Sequence, residues 1–339
     1  MRGLVLGLVV AAALTGNVAL AHESWPAYLD LRQTSTETLE VFFRIPTDRQ
    51  SDRQSDRPPL HLTLPDQARD LQPPRAAGEQ GAFVERRSVA IPGGLEGQKI
   101  AIDGLSRTRM DVLVRFENLA GKIQIERLTP VDNVFILNTD RVAGDMATAY
   151  LGMGIEHILG GIDHLLFVFG ILLLVRGWKR VVLAITAFTV AHSLTLAAAT
   201  LGVIQVPESP LNAAIALSIL FLGTEIVRSQ RGEDTIGTRQ PWLLAFGFGL
   251  IHGCGFASGL ATTGLPPSEI PYALLFFNIG IEVGQLGFVA LYLVLLWAVR
   301  TLEMPSPRWA VLLPAYVVGT AGAWWTLIQM QHFLEVMSW

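Results

Sequence analysis

The chain has 339 residues, of which 51% are hydrophobic and 16% are charged. Because soluble domains carry about 25% charged residues, this composition indicates a protein with a large membrane-embedded part. The formal net charge of −4 offers no basic footprint for nucleic acid, and the single cysteine excludes an intrachain disulfide and a paired-cysteine metal site. Charge concentrates in the first part of the chain and apolar runs follow it, which predicts one soluble and one embedded part.

Residues 1–21 have the pattern of a secretory signal peptide. Arg2 precedes a short apolar run, and a small-residue A-x-A cleavage site ends at Ala21. Cleavage there would place His22 at the mature N-terminus, where its α-amine and imidazole Nδ1 could together chelate a metal such as copper. An uncleaved membrane anchor, and a His22 that merely follows the cleavage site, are the alternatives.

Residues 22–145 alternate in polarity as half-buried strands do. Leu39 and Val41, for example, share one parity, and turns rich in Gly and Pro separate such stretches. Several short strands in about 120 residues predict an all-β, sandwich-like domain, with its charged residues on a solvated face. A tandem duplication from Arg49 to Pro59 predicts a flexible loop.

Residues 146–332 contain six apolar segments that are candidate membrane spans. They cover about 147–175, 180–203, 211–228, 241–263, 271–299 and 309–330. The predicted fold is therefore an α-helical membrane domain of about six transmembrane helices, preceded by an N-terminal all-β extracytoplasmic domain.

The joints between these segments differ in charge. Lys and Arg occupy the first, third and fifth joints, whereas the second and fourth joints contain neither. By the positive-inside rule, the odd joints are cytoplasmic. Together with the signal peptide, this orientation predicts a multi-pass protein of a bacterial inner membrane, with its β-domain and its C-terminus in the periplasm.

Ionisable side chains interrupt the first apolar segment. If this segment is one continuous helix at about 100° per residue, four of them share a polar stripe: Glu156, His157, Asp163 and His164. A charged residue at mid-membrane costs about 2.5–3.5 kcal/mol on insertion scales. Such residues are therefore expected to face a cavity, a partner or an ion.

Depth estimates extend this stripe to three other segments. At about 1.5 Å per residue from the cytoplasmic ends, one mid-membrane level would hold Asp163, His164, His192 and His252. A second level nearer the outside would hold Glu156, His157, Asn278 and Glu282. Gln285 shares a helical face with the last two.

These residue types suit a divalent transition metal. Neutral imidazole binds Ni²⁺, Cu²⁺, Zn²⁺ and Co²⁺, and a carboxylate offsets their charge. Mg²⁺ and Ca²⁺ instead favour oxygen ligands. A proton path through the same residues is an alternative, and His192 alone, beside Ser193, could equally serve helix packing.

The spacing within the first segment resembles a motif of the HupE/UreJ family of membrane proteins, which has the form H-P-x-x-G-x-D-H. His157, Gly161, Asp163 and His164 match this motif, while Ile158 replaces its proline. The long outer domain is similar to that of the family's second subgroup.

A second motif of that family, F-H-G-x-x-x-E, is matched in part. His252 and Gly253 agree with it, whereas Ile251 and Ala257 replace its aromatic and its acidic residue. Glu282, on another segment, could supply the missing charge.

The resemblance spans about residues 150–300 and implies a transition-metal permease rather than an enzyme. Its cargo would be a divalent ion, Ni²⁺ by the family's usual assignment, with Cu²⁺, Zn²⁺ or Co²⁺ as alternatives. The expected ion-binding residues are Glu156, His157, Asp163, His164, His192, His252 and Glu282, with His22 in the outer domain and with Asn278 and Gln285 lining the path. The implied partners are membrane lipid, the ion, and a periplasmic metal carrier or a metalloenzyme maturation system.

Two other functions fit the same residues. An intramembrane zinc hydrolase could use the histidines, Asp163 and Ser193 around an ion with an open position for water, although the chain has no His-Glu-x-x-His motif. A metal-binding assembly factor that does not transport would instead use the helices only to anchor the outer domain.

Overall fold

The computed structural model describes residues 26–46, 60–79, 82–108, 110–138, 144–204, 206–255, 269–301 and 308–337. The predicted signal peptide, His22 and the duplicated loop from Arg49 to Pro59 lie outside these ranges. The chain forms two compact units. The first contains Glu23–Tyr150 and Thr262–Ala273, and the second, which is helical, contains Leu151–Ala261 and Leu274–Trp339.

The described residues of the first unit form ten strands. They are β1 Ala27–Gln33, β2 Thr38–Pro46, β3 His61–Thr63, β4 Arg69–Asp70, β5 Arg75–Glu79, β6 Ala82–Ala90, β7 Lys99–Asp103, β8 Val112–Glu117, β9 Ile123–Leu128 and β10 Val134–Ile136. Seven strands form one sheet in the order β4-β6-β2-β1-β8-β9, with β5 also paired to β6, and three form a second sheet in the order β10-β7-β3.

Side chains from both sheets share one apolar core, which makes this unit sandwich-like and confirms the predicted β-rich region. On β2 the alternation holds, because Leu39, Val41 and Phe43 are buried and the residues between them are less so. The strand β8 lies between β1 and the edge strand β9, pairs with β1 in parallel, and is buried on both faces.

The strand β8 carries a buried charged side chain, that of Arg115, which is only 3% exposed. Its guanidinium donates hydrogen bonds to three carboxylates of the same unit, those of Asp30, Glu117 and Glu269. The expectation that the charged residues of this domain lie on a solvated face is therefore wrong at Arg115. A buried cation requires paired anions, and the chain supplies one of them from residue 269, far along the sequence.

Eight helices follow in the described part of the chain. They are α1 Gly144–Gly160, α2 Ile162–Leu174, α3 Trp178–Thr200, α4 Glu208–Gln230, α5 Ile236–Arg239, α6 Pro241–Gly255, α7 Ile270–Thr301 and α8 Arg308–Met337.

Three of these helices have the length and apolar composition of membrane spans, namely Trp178–Thr200, Ser209–Gln230 and Ile270–Ala298. The bent pair α1 and α2 would make a fourth, so the described residues provide fewer than the six spans predicted. The helix α6 has only 15 residues, and residues 256–263, the remainder of the predicted fourth span, lie outside the described ranges. The helix α8 contains polar residues such as Gln329 and Gln331.

The first predicted span is a broken helix. The helices α1 and α2 meet at Gly161 with a bend of 72°. Gly161 itself has an extended backbone, with φ −79° and ψ 101°. The prediction of one continuous helix is wrong here, because the Gly160-Gly161 pair lets the chain leave the helical path in the middle of the motif.

Glycines allow α3 and α6 to lie backbone to backbone. A Cβ atom at Gly249 would collide with the Phe188 carbonyl, and one at Gly253 would collide with the His192 carbonyl. Close approach through small residues is a common way for membrane helices to pack. At this crossing it brings His192 of α3 next to the helix turn that carries His252.

Two of the charged joints are in contact with each other. Arg180, at the start of α3, donates hydrogen bonds to the carbonyl oxygens of Thr238 and Arg239, at the end of α5. The first and third joints predicted from the sequence therefore lie at the same end of the helical unit.

Candidate metal centre

Four imidazoles and one carboxylate converge from four helices. His157 lies in the last turn of α1, and Asp163 lies in the first turn of α2, directly before His164. His192 comes from α3 and His252 from the last turn of α6. The break at Gly161 places the end of one helix and the beginning of the next at the same point.

The ligand atoms form two overlapping groups of three. In the first, one ligand atom from each of His157, His164 and His192 lies within 4.8 Å of the others. In the second, the same holds for Asp163, His164 and His252. His164 belongs to both groups, and its ring centroid is 4.8 Å from that of His157 and 5.1 Å from that of His252.

The cluster is buried among aromatic rings. His164, His192 and His252 are at most 3% exposed. Phe188 stacks on the His192 ring at 6.0 Å, and Phe277 lies 5.4 Å from the His157 ring. An apolar wall of this kind lowers the local dielectric constant, which strengthens the attraction between a cation and the Asp163 carboxylate.

Asp163 orients His164. Its Oδ1 accepts a hydrogen bond of 2.9 Å from the backbone N–H of His164 and lies 3.0 Å from Nδ1 of the same residue. When Nδ1 carries the proton and donates it to this carboxylate, Nε2 offers a lone pair. A histidine that donates one ring N–H to a carboxylate and can bind an ion through its other nitrogen is typical of metal sites.

Ser218 of α4 sets the orientation of His252. The Ser218 hydroxyl donates its single hydrogen to the Ile215 carbonyl at 2.6 Å, so it acts as an acceptor toward His252 Nε2, which lies 3.1 Å away. This assigns the proton of His252 to Nε2 and leaves Nδ1 with a lone pair. That Nδ1 is buried and has no hydrogen-bond partner among the described residues, as expected of a nitrogen that awaits a cation.

His192 is held without well-formed hydrogen bonds of its own. Both of its ring nitrogens are buried and lack such a partner in the described ranges, although the Asn278 side chain lies beside the ring. Asn278 donates to the Leu274 carbonyl at 2.7 Å, which turns its amide oxygen toward the buried interior. The residue that sequence reasoning placed on the path is therefore a neighbour of the imidazole cluster.

The remaining polar residues of α7 lie elsewhere. Glu282 accepts a hydrogen bond of 2.6 Å from Thr186, and Gln285 accepts one of 3.0 Å from Thr189. Both threonines precede His192 on α3, toward the end that begins at Trp178. Neither Glu282 nor Gln285 belongs to either ligand group, and Glu156 is on an exposed face of α1.

The predicted division into two depths is therefore wrong. Depth counting placed His157 and Glu282 together, outside the level of His164. In the structure the His157 ring is in contact with the His164 ring, and Glu282 is bonded to Thr186, on the Trp178 side of His192. Counting 1.5 Å per residue fails when a helix turns by 72° between the two residues compared.

Sequence reasoning missed Ser218, Thr186 and Thr189. Each is a small hydroxyl residue in an apolar helix, where such residues commonly donate to a carbonyl one turn away, as Ser193 does to Thr189. The sequence therefore contained no signal that separates them from ordinary helix residues.

The helices and the buried imidazole cluster define a membrane protein with a candidate cation-binding centre. The family model described as HupE / UreJ protein matches residues 133–329, which is more than half of the chain, and the chain belongs to that family. This confirms the resemblance found in the sequence. Searches among curated proteins and among solved structures found no match.

Membership of this family indicates metal transport or an accessory role in metal handling. The family is one of transporters and accessory proteins and is not known for an enzymatic activity. The match begins at residue 133, so it includes β10 and all eight helices at least in part.

Proposed function

We propose that the chain is a permease that moves a divalent transition-metal ion, Ni²⁺ in the first place, across a bacterial inner membrane. The observation that carries this proposal is the pair of buried ligand groups that share His164. Unpaired imidazole nitrogens such as those of His192 and His252 are costly to bury unless they bind a ligand. Their position between apolar helices supports a cation as that ligand.

The type of ligand supports a transition metal. Four imidazoles and one carboxylate match Ni²⁺, Co²⁺, Zn²⁺ and Cu²⁺, whereas Mg²⁺ and Ca²⁺ need mainly oxygen ligands. Each group offers three protein ligands, which leaves coordination positions open. An ion held in this way can exchange ligands, as transport requires, whereas a closed four-ligand structural site would retain it.

The orientation follows from charge. Lys and Arg at the first and third joints, which meet through Arg180 and Thr238, make that end cytoplasmic by the positive-inside rule. The β-rich unit is then periplasmic. There it would capture metal, through His22 at a processed N-terminus, or receive it from a periplasmic carrier or a metalloenzyme maturation system.

Uptake into proteoliposomes tests the proposal. The wild-type protein is expected to accumulate radioactive Ni²⁺ above the level of empty vesicles, and His164→Ala is expected to reduce uptake to that level, because it removes the ligand common to both groups. His61→Ala is the matched control, since it removes an exposed histidine of β3. Absence of uptake by the wild type, with Ni²⁺, Co²⁺, Zn²⁺ and Cu²⁺ each tried in both vesicle orientations, would refute a permease.

A further inference from the structure

We infer that the imidazole cluster provides two alternative positions for one ion, and that His164 passes the ion from one to the other. The first position is formed by His157, His164 and His192, and the second by Asp163, His164 and His252. This inference deepens the proposed function and rests on it for the identity of the ion.

The geometry separates the two positions. An ion with metal–nitrogen distances of about 2.1 Å keeps its ligand atoms within about 4.2 Å of one another. Each group of three nearly meets this condition, with its atoms within 4.8 Å, and within the described ranges no larger set does so. Only small side-chain movements would close either group around an ion, whereas all five residues together would need a larger rearrangement.

His164 limits the occupancy to one ion. A neutral imidazole that donates one N–H has a single lone pair, so His164 cannot bind an ion at each position at the same time. During the transfer His164 keeps its bond to the ion, His157 and His192 release it, and Asp163 and His252 replace them. No proton has to move and no charge is created, because every imidazole stays neutral and the carboxylate stays ionised.

Asp163 has a different role at each position. For an ion at the first position it remains outside the ligand set and orients His164 through the 3.0 Å contact with Nδ1. For an ion at the second position it is itself a ligand. The ligands of the first position are thus all nitrogen atoms. The second position combines nitrogen ligands with one carboxylate, whose negative charge offsets one of the ion's two positive charges.

The Ser218 contact shows that the second position is prepared for a ligand. Because Ser218 accepts from Nε2, the Nδ1 lone pair of His252 has no hydrogen-bond partner among the described residues. A histidine that served only helix packing would be expected to bond through both nitrogens. Two sites of moderate strength also suit permeation, which needs binding that permits both entry and exit.

Binding of Co²⁺ to the purified full-length protein tests this inference, with stoichiometry and the visible absorption spectrum as readouts. The wild type should bind one ion per chain. His252→Ala keeps the first position, and His192→Ala keeps the second, so each should still bind one Co²⁺ but with a different spectrum, nitrogen-only in the former and mixed nitrogen–oxygen in the latter. His164→Ala should lose binding, and His61→Ala should match the wild type.

Ser218→Ala provides an independent test, because this substitution is too mild to prevent folding. Loss of an outer-sphere partner typically weakens metal binding about 10–100-fold. In the His192→Ala background, which leaves only the second position, Ser218→Ala should weaken Co²⁺ binding by that factor. In the His252→Ala background it should have no effect.

The inference is overturned if His192→Ala and His252→Ala abolish binding as completely as His164→Ala, if both give the same spectrum, or if the wild type binds two ions. Those results would leave uptake of Ni²⁺ by the wild type unaffected. Conversely, a wild type that shows both spectra through its variants but no uptake would refute the permease and retain the two positions.

Discussion

The carboxylate of Glu269 accepts hydrogen bonds from both Nε and Nη2 of Arg115. Arg115 Nε lies 3.1 Å from each carboxylate oxygen of Glu269, and Nη2 lies 2.7 Å from Oε1. Both side chains are buried, and Glu269 immediately precedes α7. A bidentate pair of this geometry is the strong form of a charge-assisted hydrogen bond.

Arg115→Leu is expected to destabilise the first unit by about 3–5 kcal/mol, because it leaves Asp30, Glu117 and Glu269 close together without their cation. Glu269→Gln should cost less, since its amide oxygen still accepts and the guanidinium retains two carboxylates. Thermal unfolding of the full-length protein in detergent measures both.

Arg87→Leu is the matched control for this substitution. Arg87 is in the same sheet and pairs with Asp70, but both side chains are partly exposed, at 19% and 29%. Pairs that water reaches contribute about 0–1 kcal/mol. Equal losses of stability in Arg87→Leu and Arg115→Leu would contradict a special role for the buried cluster.

The stability of this unit should also depend on Asp30 and pH. Burial raises the pKa of Asp30 above its ordinary value of 3.8, although the hydrogen bond and the charge of Arg115 act against this shift. A raised pKa in the folded state means that the protonated carboxyl favours folding. This contribution is fully present below pH 3.8 and is lost as the pH rises through the folded pKa.

Asp30→Asn, which cannot ionise, is therefore expected to be more stable than the wild type at neutral pH, with the difference shrinking toward acid. Arg115 stays charged throughout: burial acts to lower its pKa, but its hydrogen bonds to Glu269, Asp30 and Glu117 outweigh this and leave the pKa raised. Unfolding temperatures measured at a series of pH values provide the comparison. Parallel curves for the two proteins would show that Asp30 does not titrate as described.

Gly161 provides a test of the candidate metal centre. A Cβ atom at this position would lie 2.6 Å from His164 Nδ1 and 3.0 Å from Asp163 Oδ1, so Gly161→Ala must displace one of them. Because the contact between Asp163 Oδ1 and His164 Nδ1 orients the His164 ring, we expect Gly161→Ala to bind Ni²⁺ about 10–100-fold more weakly than the wild type. Equilibrium dialysis of the purified protein with Ni²⁺ measures this.

The neighbouring glycine is the control. A Cβ atom at Gly160 would meet nothing within 4 Å, and alanine suits the end of α1 better than glycine does. Gly160→Ala should therefore bind Ni²⁺ as the wild type does. If both substitutions weaken binding equally, the effect comes from stiffening the break and not from contact with His164.

The residues of the candidate metal centre were largely predictable, whereas their arrangement was not. His157, Asp163 and His164 were found because ionisable side chains are expensive within an apolar segment, and that cost is visible in the sequence. Depth counting assumed a straight helix. The bend at Gly161 depends on how the chain packs around it, and a pair of glycines permits such a bend without requiring it.

The same limit applies to the β-rich unit. Alternation on β2 was predictable, since one buried face imposes a period of two residues. The burial of Arg115 was not, because its strand is covered on both faces and its partner Glu269 is separated from it by 154 residues. Pairing across such a distance depends on the folded chain and leaves no local pattern.

A substitution at Glu282 can distinguish binding of the ion from its transport. Its carboxylate is outside both ligand groups and accepts the hydrogen bond from Thr186, on the Trp178 side of His192. If this end is cytoplasmic, an ion that leaves the cluster inward passes Glu282. Its negative charge would then stabilise the ion after release from the imidazoles.

Glu282→Gln is accordingly expected to leave equilibrium Ni²⁺ binding unchanged and to slow uptake into proteoliposomes several-fold. The amide oxygen still accepts from Thr186, so the helix contact persists while the charge is lost. Glu225→Gln is the matched control, since Glu225 is a buried carboxylate of α4 that accepts from the Gly237 N–H, and its amide can do the same. A loss of binding in Glu282→Gln would make this residue a ligand, and equal uptake in both variants would remove it from the path.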